Sequence, residues 1–374
     1  MAGLQLKLGL ECERLLSYPN VRPSPLETKL PDGRVRCGVC ERHCHLREGS
    51  VGFCGTRANL GGKLRTLVYG DISSIASNPI EKKPFFHFWP GSKALTVGTW
   101  GCNFTCGWCQ NFDISKTPPD PTRASFLSPD KLVSHAIADG CQGTSISFNE
   151  PTMLFEYALD VFPLARRRGL YNTYVSNGYM SEDALKMLKE VGMDAIKFDI
   201  KGGKAAVARQ CAANVEVVWR NIRRARELGL HVEVVMLLIP GINDDEASVR
   251  EVAKKHVEEA GQDQPLHFSR FYPAYKMTDR PPTPITSMEA AHAIAKEEGV
   301  RYAYLGNVPG HRLENTFCHN CGSLVIERYG FTVLDCRLTK DWKCLHCGQT
   351  LPMVGGSAVS SARFRKLGPQ AGAR

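Results

Sequence analysis

ALTVGTWGCNFTCGWCQN, residues 94–111, is the stretch whose reading decides the fold of this 374-residue chain. An apolar, β-prone run, Ala94 to Thr99, leads directly into Cys102, Cys106 and Cys109 at C-x3-C-x2-C spacing. Three thiolates on one loop can curl around one iron–sulfur cube. A [4Fe–4S] cluster is ordinarily held by four, so three local ligands would leave one iron open. The plainer alternative is a structural cluster or a zinc site completed by a thiol elsewhere, for example Cys141.

Working outward, short apolar runs alternate with amphipathic ones. The runs TSISF, TYVSN, AIKFDI, HVEVVMLLI, LHFSRFY and RYAYLG read as further strands. Between them PDKLVSHAIADG, MLFEYALDVFPLARRRG, SEDALKMLKEVG, VVWRNIRRARELG and DDEASVREVAKKHVEEAG read as helices. Several of these end in Gly, and SPDK and SEDA carry N-terminal capping signals. One strand plus one helix every ~30 residues is the βαβ rhythm of a parallel sheet. Six or seven such units fall short of a full eight-unit barrel, so the fold class is α/β with an incomplete (β/α) barrel. In such folds ligands sit at the carboxyl ends of the strands, which is where the informative residues lie.

Composition narrows the function classes. The chain has 47 Lys+Arg against 38 Asp+Glu, a net charge of +9. Four of those charges, Arg363, Arg365, Lys366 and Arg374, sit in the acid-free ending GGSAVSSARFRKLGPQAGAR. The rest of the chain has no dense Lys/Arg stripe, so nucleic acid is not an expected partner. The longest apolar stretch, Val232 to Pro240, falls short of a membrane span. Lys7, Glu11, Glu13 and Arg14 break any signal-peptide core. A cytoplasmic location is therefore expected, and there 15 cysteines at short spacings read as metal ligands rather than disulfides.

The cysteines fall into groups. Cys37, Cys40, Cys44 and Cys54 follow C-x2-C-x3-C-x9-C with His43 and His45 interleaved, four thiolates for zinc or an auxiliary iron–sulfur cluster. Cys318-x2-Cys321-Gly and Cys344-x2-Cys347-Gly are two knuckles of the kind found in zinc ribbons and rubredoxins, suited to zinc or iron. Cys12, Cys141 and Cys211 stand alone and read as buried apolar residues; Cys336 is left as a core residue or an alternative ligand. The expected divisions are residues 1–90, an N-terminal Cys-rich metal module and lead-in; 91–310, the partial barrel; 311–353, a C-terminal zinc-ribbon or rubredoxin-like module; and 354–374, a disordered tail.

The triad and the strand ends resemble the radical SAM superfamily. The resemblance implies a [4Fe–4S] cluster on Cys102, Cys106 and Cys109, with S-adenosylmethionine on its open iron and an aromatic residue, Trp108, near the adenine. One-electron reduction would cleave the sulfonium to a 5′-deoxyadenosyl radical for hydrogen abstraction. Asn149-Glu150-Pro151-Thr152 is similar to the family segment that binds the SAM ammonium. Ser176, Asn177 and Gly178, then Asp199 and Lys201, end the next two strands. Pro240, Gly241 and Asn243 resemble a SAM-side loop, His267 is a candidate adenosine contact, and Arg270 a candidate for the substrate side.

Over Cys37 to Cys347 the segments IEKKPFFHFWPGSKALTVGTWGCNFTCGWCQN, SFNEPT, YVSNGY, HFSRFYPAYKM and YLGNV are similar to the radical SAM protein of the AmmeMemoRadiSam group, a relative of pyruvate formate-lyase activating enzymes. That resemblance implies Memo-type and Ammecr-type partner proteins, a flavodoxin- or ferredoxin-like electron donor and a protein or peptide substrate. Where glycyl-radical activases have an Asp tied to a cation site, this chain has Val175, which cannot ligate a cation and weakens the activase reading. A non-catalytic, metal-scaffolded binding protein is the rival from another class.

Overall fold

The structure, a computed structural model, describes residues 10–356. The first nine residues, the side chain of Cys12 and residues 357–374 of the expected tail lie outside it. The chain divides into two compact units. The first takes residues up to Ser77, Ala94–Val232 and Pro273–Pro281; the second takes Asn78–Lys93, Glu233–Tyr272 and the chain from Pro282. The N-terminal segment through Ser77 belongs to the first unit and the C-terminal cysteines to the second.

In the first unit, β1 (Glu27–Lys29), β2 (Val35–Cys37) and β3 (His45–Leu46) form an antiparallel sheet. β4 (Arg57–Asn59) pairs antiparallel with β5 (Leu64–Thr66). Four parallel strands follow, hydrogen-bonded in chain order: β6 (Lys93–Gly98), β7 (Gly143–Ile146), β8 (Tyr171–Ser176) and β9 (Ala195–Ile200). Their register, Val97 beside Ile146 and Ser176 beside Phe198, brings the carboxyl ends of the strands level. Nearly every residue in them is buried, which is why their sequences read as apolar runs instead of an in–out alternation.

Helices α1 (Pro129–Ala138), α2 (Phe155–Arg167), α3 (Glu182–Glu190), α4 (Lys204–Cys211) and α5 (Val215–Glu227) lie between and after these strands. The two capping signals are realised: the Ser128 hydroxyl accepts from Lys131 N–H and the Ser181 hydroxyl from Ala184 N–H. α4 is not legible in the sequence. It is two turns of Lys, Ala, Val, Arg and Gln without a side-chain N-cap, and it ends on Ala212 in the left-handed region at φ 52°.

The second unit holds β10 (His231–Leu238, all but its first two residues), α6 (Glu246–Lys255), β11 (Leu266–Arg270), α7 (Ile285–Glu297) and β12 (Ala303–Gly306). The three strands are parallel. β13 (Thr316–Phe317), β14 (Leu324–Tyr329) and β15 (Thr332–Cys336) then form an antiparallel meander. Its core of Val325, Ile326, Val333, Leu338, Trp342 and Leu351 includes Cys336, buried as an apolar residue. The parallel-sheet α/β architecture is thus as expected. Among the described residues no helix is long and apolar enough to cross a membrane.

Arg57 ties the N-terminal segment to the parallel strands. Its guanidinium, 2% exposed, donates to both carboxylate oxygens of Glu156 on α2, at 2.9 and 2.6 Å, and to the Thr152 carbonyl at 2.9 Å. Truncating one partner of a buried pair strands the other charge without water. Arg57→Ala is expected to cost ~3–5 kcal/mol, read as a fall in the urea midpoint of the metal-free protein, whereas Arg57→Met with Glu156→Leu recovers most of the loss.

Candidate functional site

β6 ends at Gly98, and the chain turns through Trp100 and Gly101 into the three cysteines. Gly101 is at φ 76°, and a Cβ there would meet the Cys54 carbonyl oxygen at 2.4 Å. Only glycine lets the N-terminal segment and the cysteine loop approach so closely. Asn149 holds the same turn: its side-chain carbonyl accepts from Thr99 N–H at 3.1 Å, and its amide donates to the Trp100 and Gly101 carbonyls at 3.2 and 2.8 Å. Phe148, just before it, is a non-glycine residue at φ 66°, a strained bend that swings Asn149 and Glu150 away from the line of β7.

Glu150 is the node of the strand ends. One oxygen accepts from the Thr152 N–H at 3.1 Å, the Thr152 hydroxyl and the Ser176 hydroxyl at 2.8 Å; the other accepts from Asn177 N–H at 2.8 Å. Burial pushes its carboxyl above the ordinary glutamate value, although these donors pull the other way. A carboxylate has about four acceptor positions, so the oxygen that takes only Asn177 N–H retains capacity for a cationic donor. Pro151 starts the short turn that Glu150 caps.

Asn177 reaches from β8 back to the cysteine loop, donating to Asn103 Oδ1 at 2.7 Å and toward Cys102 Sγ at 3.9 Å while accepting from Tyr179 N–H. Gly178, at φ 75°, has no room for a Cβ against Phe198 and Val218. At the end of β9 the Asp199 carboxylate pairs with Lys197 and with Lys201, the latter at 3.1 Å. Burial would raise Asp199, but the two ammoniums outweigh it and hold the carboxyl down to about 2. Trp108 is buried.

The three thiols sit among donors and cations. Phe104 N–H points at Cys102 Sγ at 3.4 Å, and Cys109 Sγ lies 3.1 Å from Ser115 Oγ. Burial pushes Cys102 up to about 12. A thiol so raised ionises when a metal takes its proton's place. Lys116, anchored on the Phe104 carbonyl, offsets that burial at Cys102 and Cys106, and Lys201 acts likewise at Cys106. Asn103 Nδ2 is buried beside Cys102 with no hydrogen-bond partner among the described residues. A thiolate loop with cations, backbone donors and an orphaned amide donor fits an anionic, sulfide-bearing group.

Cys37, Cys40, Cys44 and Cys54 belong to the same unit. Cys40 bridges antiparallel to Met180, and Ser181 N–H bonds the Val39 carbonyl, so this group sits on the segment that follows β8. Cys54 bears electrostatically on Cys37, Cys40 and Cys44, and burial pushes Cys37 up to about 11. In the second unit Cys318, Cys321, Cys344 and Cys347 have their sulfurs within 4.8 Å of one another, the one such close-set group among the described residues. Cys318 to Cys347 is 3.6 Å and Cys321 to Cys344 is 3.8 Å. Tetrahedral coordination at a metal–sulfur distance of ~2.3 Å puts sulfurs roughly 3.8 Å apart, so this group fits one Zn2+ or Fe2+ ion. Hydrogen bonding from Ser323 draws Cys321 down to about 6.

Asn243 and His267 lie in the second unit and are engaged there. Asn243 closes its own loop, donating to the Leu237 carbonyl and accepting from Ile239 N–H. His267 is buried with Nε2 2.7 Å from Glu233 and its ring stacked on Tyr304. Arg270 donates to the Thr283 carbonyl. Cys141 Sγ lies 3.6 Å from Ser77 Oγ. Sequence reading passed over Arg42, Asn103, Lys116 and Lys197 and took Cys211 for a lone buried apolar residue; their positions depend on contacts far along the chain.

Residues 96–252 match the model of the radical SAM superfamily. An uncharacterized protein of Methanocaldococcus jannaschii is 42% identical over 335 residues, 89% of this chain and the whole of that one. An isethionate sulfite-lyase activating enzyme of Oleidesulfovibrio alaskensis is 32% identical over 134 residues, 34% of this chain and 42% of its own. A radical SAM methyltransferase crystal structure from Sphaerobacter thermophilus aligns at TM-score 0.46 and 14% identity, over 85% of this chain and 86% of that one.

Metal-free, reduced protein is expected to take one Co2+ at Cys318, Cys321, Cys344 and Cys347 with tetrahedral thiolate absorption. Cys344→Ser abolishes that band; a band unchanged in this variant assigns the ion to other thiols.

Proposed function

From the chain's membership of the radical SAM superfamily, we propose that it reductively cleaves S-adenosylmethionine at a [4Fe–4S] cluster held by Cys102, Cys106 and Cys109 and abstracts hydrogen from a protein or peptide. The observation that carries this reading is the placement of three thiols on the loop after β6 within reach of the strand-end network centred on buried Glu150, with Asn103 Nδ2 left unpaired beside them. The cluster and SAM together supply the one-electron chemistry that makes a 5′-deoxyadenosyl radical.

The chain's own residues bind and orient. Glu150 takes the SAM ammonium on its less occupied oxygen, held in place by Thr152, Ser176 and Asn177. Lys201, already bearing on Cys106, and Lys197 supply positive charge for a carboxylate, with Asp199 fixing both. Asn177 and Asn149 set the loop, and Trp108 contributes an aromatic wall. Asn243 and His267 serve the loop and core of the second unit in this reading. Cys37, Cys40, Cys44 and Cys54 hold a second cluster, and the C-terminal four hold structural zinc.

In its finer form the reading places the chain in the AmmeMemoRadiSam group, with Memo-type and Ammecr-type partners and a flavodoxin- or ferredoxin-like donor. The match to the isethionate sulfite-lyase activating enzyme favours a second reading, activation of a glycyl-radical partner. Val175 leaves that version without its cation ligand.

Anaerobically reconstituted protein with SAM and dithionite should release 5′-deoxyadenosine, and a Cys102→Ala, Cys106→Ala, Cys109→Ala variant should not. A wild type that carries a reducible cluster at these cysteines yet releases none overturns the reading. A glycyl doublet in the EPR spectrum of a partner chain would select the activase version.

Because burial raises the Glu150 carboxyl, it takes up a proton at a higher pH than an exposed glutamate. SAM affinity is therefore expected to fall as pH drops through that raised value, and Glu150→Gln should bind at least tenfold more weakly with a flat profile, measured by equilibrium binding. An unchanged pH profile in that variant removes Glu150 from the ammonium site.

A further inference from the structure

Cys211 ends α4 and is fully buried, with its sulfur 3.3 Å from Cys106 Sγ. The fold holds this contact from both sides. Thr105, next to Cys106, donates its N–H to the Cys211 carbonyl and its hydroxyl to the Gln210 carbonyl, both at 3.4 Å. Arg42 spans the same seam: Nε and Nη2 donate to the Asn103 carbonyl at 3.0 and 2.7 Å, Nη2 also to the Cys211 carbonyl at 3.3 Å, and Nη1 to the Ala212 carbonyl at 2.5 Å. Ala212 accepts a left-handed backbone to end the helix at this point. Three carbonyls on two chain segments, gathered by one guanidinium, fix where the Cys211 side chain sits.

We infer that Cys211 is a positioning residue of the triad site: its thiol donates an S–H hydrogen bond to the Cys106 sulfur and raises the reduction potential of the cluster bound there. This rests on the proposed function. As a metal ligand Cys106 carries no proton, so Cys211 is the donor of the pair. A hydrogen bond to a ligating sulfur withdraws charge from it and stabilises the reduced cluster, which carries one more electron. Full burial keeps water from replacing the donor, so its removal is uncompensated.

The test is an EPR-monitored redox titration of the reduced-cluster signal that changes on adding SAM, which isolates the open-iron cluster from any other. It compares reconstituted wild type, Cys211→Ala and Cys211→Ser, with iron content and melting temperature recorded alongside. Cys211→Ala should lower the reduced-to-oxidised ratio at fixed poise by about three- to tenfold, tenfold being ~59 mV for a one-electron couple. Cys211→Ser, which keeps a donor, should recover much of that shift. Equal potentials in all three proteins, or equal falls in both variants, overturn the inference, because a role in packing alone does not follow the donor. If Cys211→Ala fails to fold, Cys211→Val fills the space without a donor and takes its place. A wild type with no SAM-responsive signal overturns the proposed function itself, a result distinct from a responsive signal that ignores Cys211.

Discussion

The buried ion pair between Arg57 and Glu156 is the constraint on which the arrangement of the first unit depends. It joins residues 99 positions apart, with both side chains almost entirely out of water. Taking two charges out of water is costly, and the mutual attraction offsets that cost only where every donor has an acceptor. Arg57 approaches this condition through Nε and Nη2, which use both Glu156 oxygens and the Thr152 carbonyl. Thr152 is also a donor to Glu150, so the pair fixes one side of the carboxylate around which the strand ends are organised. The same guanidinium offsets the effect of burial on Cys37 and Cys40. One interaction thereby sets the N-terminal thiols, α2 and the Glu150 segment in a common frame.

Burial and the nearby donors and cations act on the triad and on Glu150 in opposite senses. Burial keeps Cys102 protonated and lifts Glu150, so neither is comfortable as a bare charge. Lys116, Lys197 and Lys201 bring positive charge nearby, with Asp199 answering two of them. A thiolate-ligated cluster would use the cations, and an ammonium would relieve Glu150. The contrast with the C-terminal four cysteines is geometric. There the sulfurs are already at single-ion separations, and nothing more than one tetrahedral metal is called for.

Much of this was legible in the chain itself. All seven strand runs, from ALTVGT to RYAYLG, became strands of the parallel sheet, because burial on both faces favours short β-prone runs over an in–out alternation. Ser128 and Ser181 capped the helices their neighbours announced. The short α4 and the Ala-rich α7, whose N-cap position is Pro284, escaped because neither carries a capping side chain or a clear apolar stripe. Asn243 and His267, expected at the SAM site from the family resemblance, hydrogen-bond Ile239 N–H and Glu233 respectively, contacts that no local sequence pattern announces.

The sequence by itself determined the alternation of strands and helices, the C-x3-C-x2-C loop after β6 and the paired C-x2-C-G knuckles, since periodicity and ligand spacing are written within a few residues. Tertiary structure alone decided that Arg57 meets Glu156, that Arg42 gathers the carbonyls of Asn103, Cys211 and Ala212, and that Cys211 lies against Cys106 across 105 positions. Those contacts join chain segments that no local pattern relates, and they exist because the N-terminal segment and the cysteine loop pack against the helices and turns that follow the parallel strands.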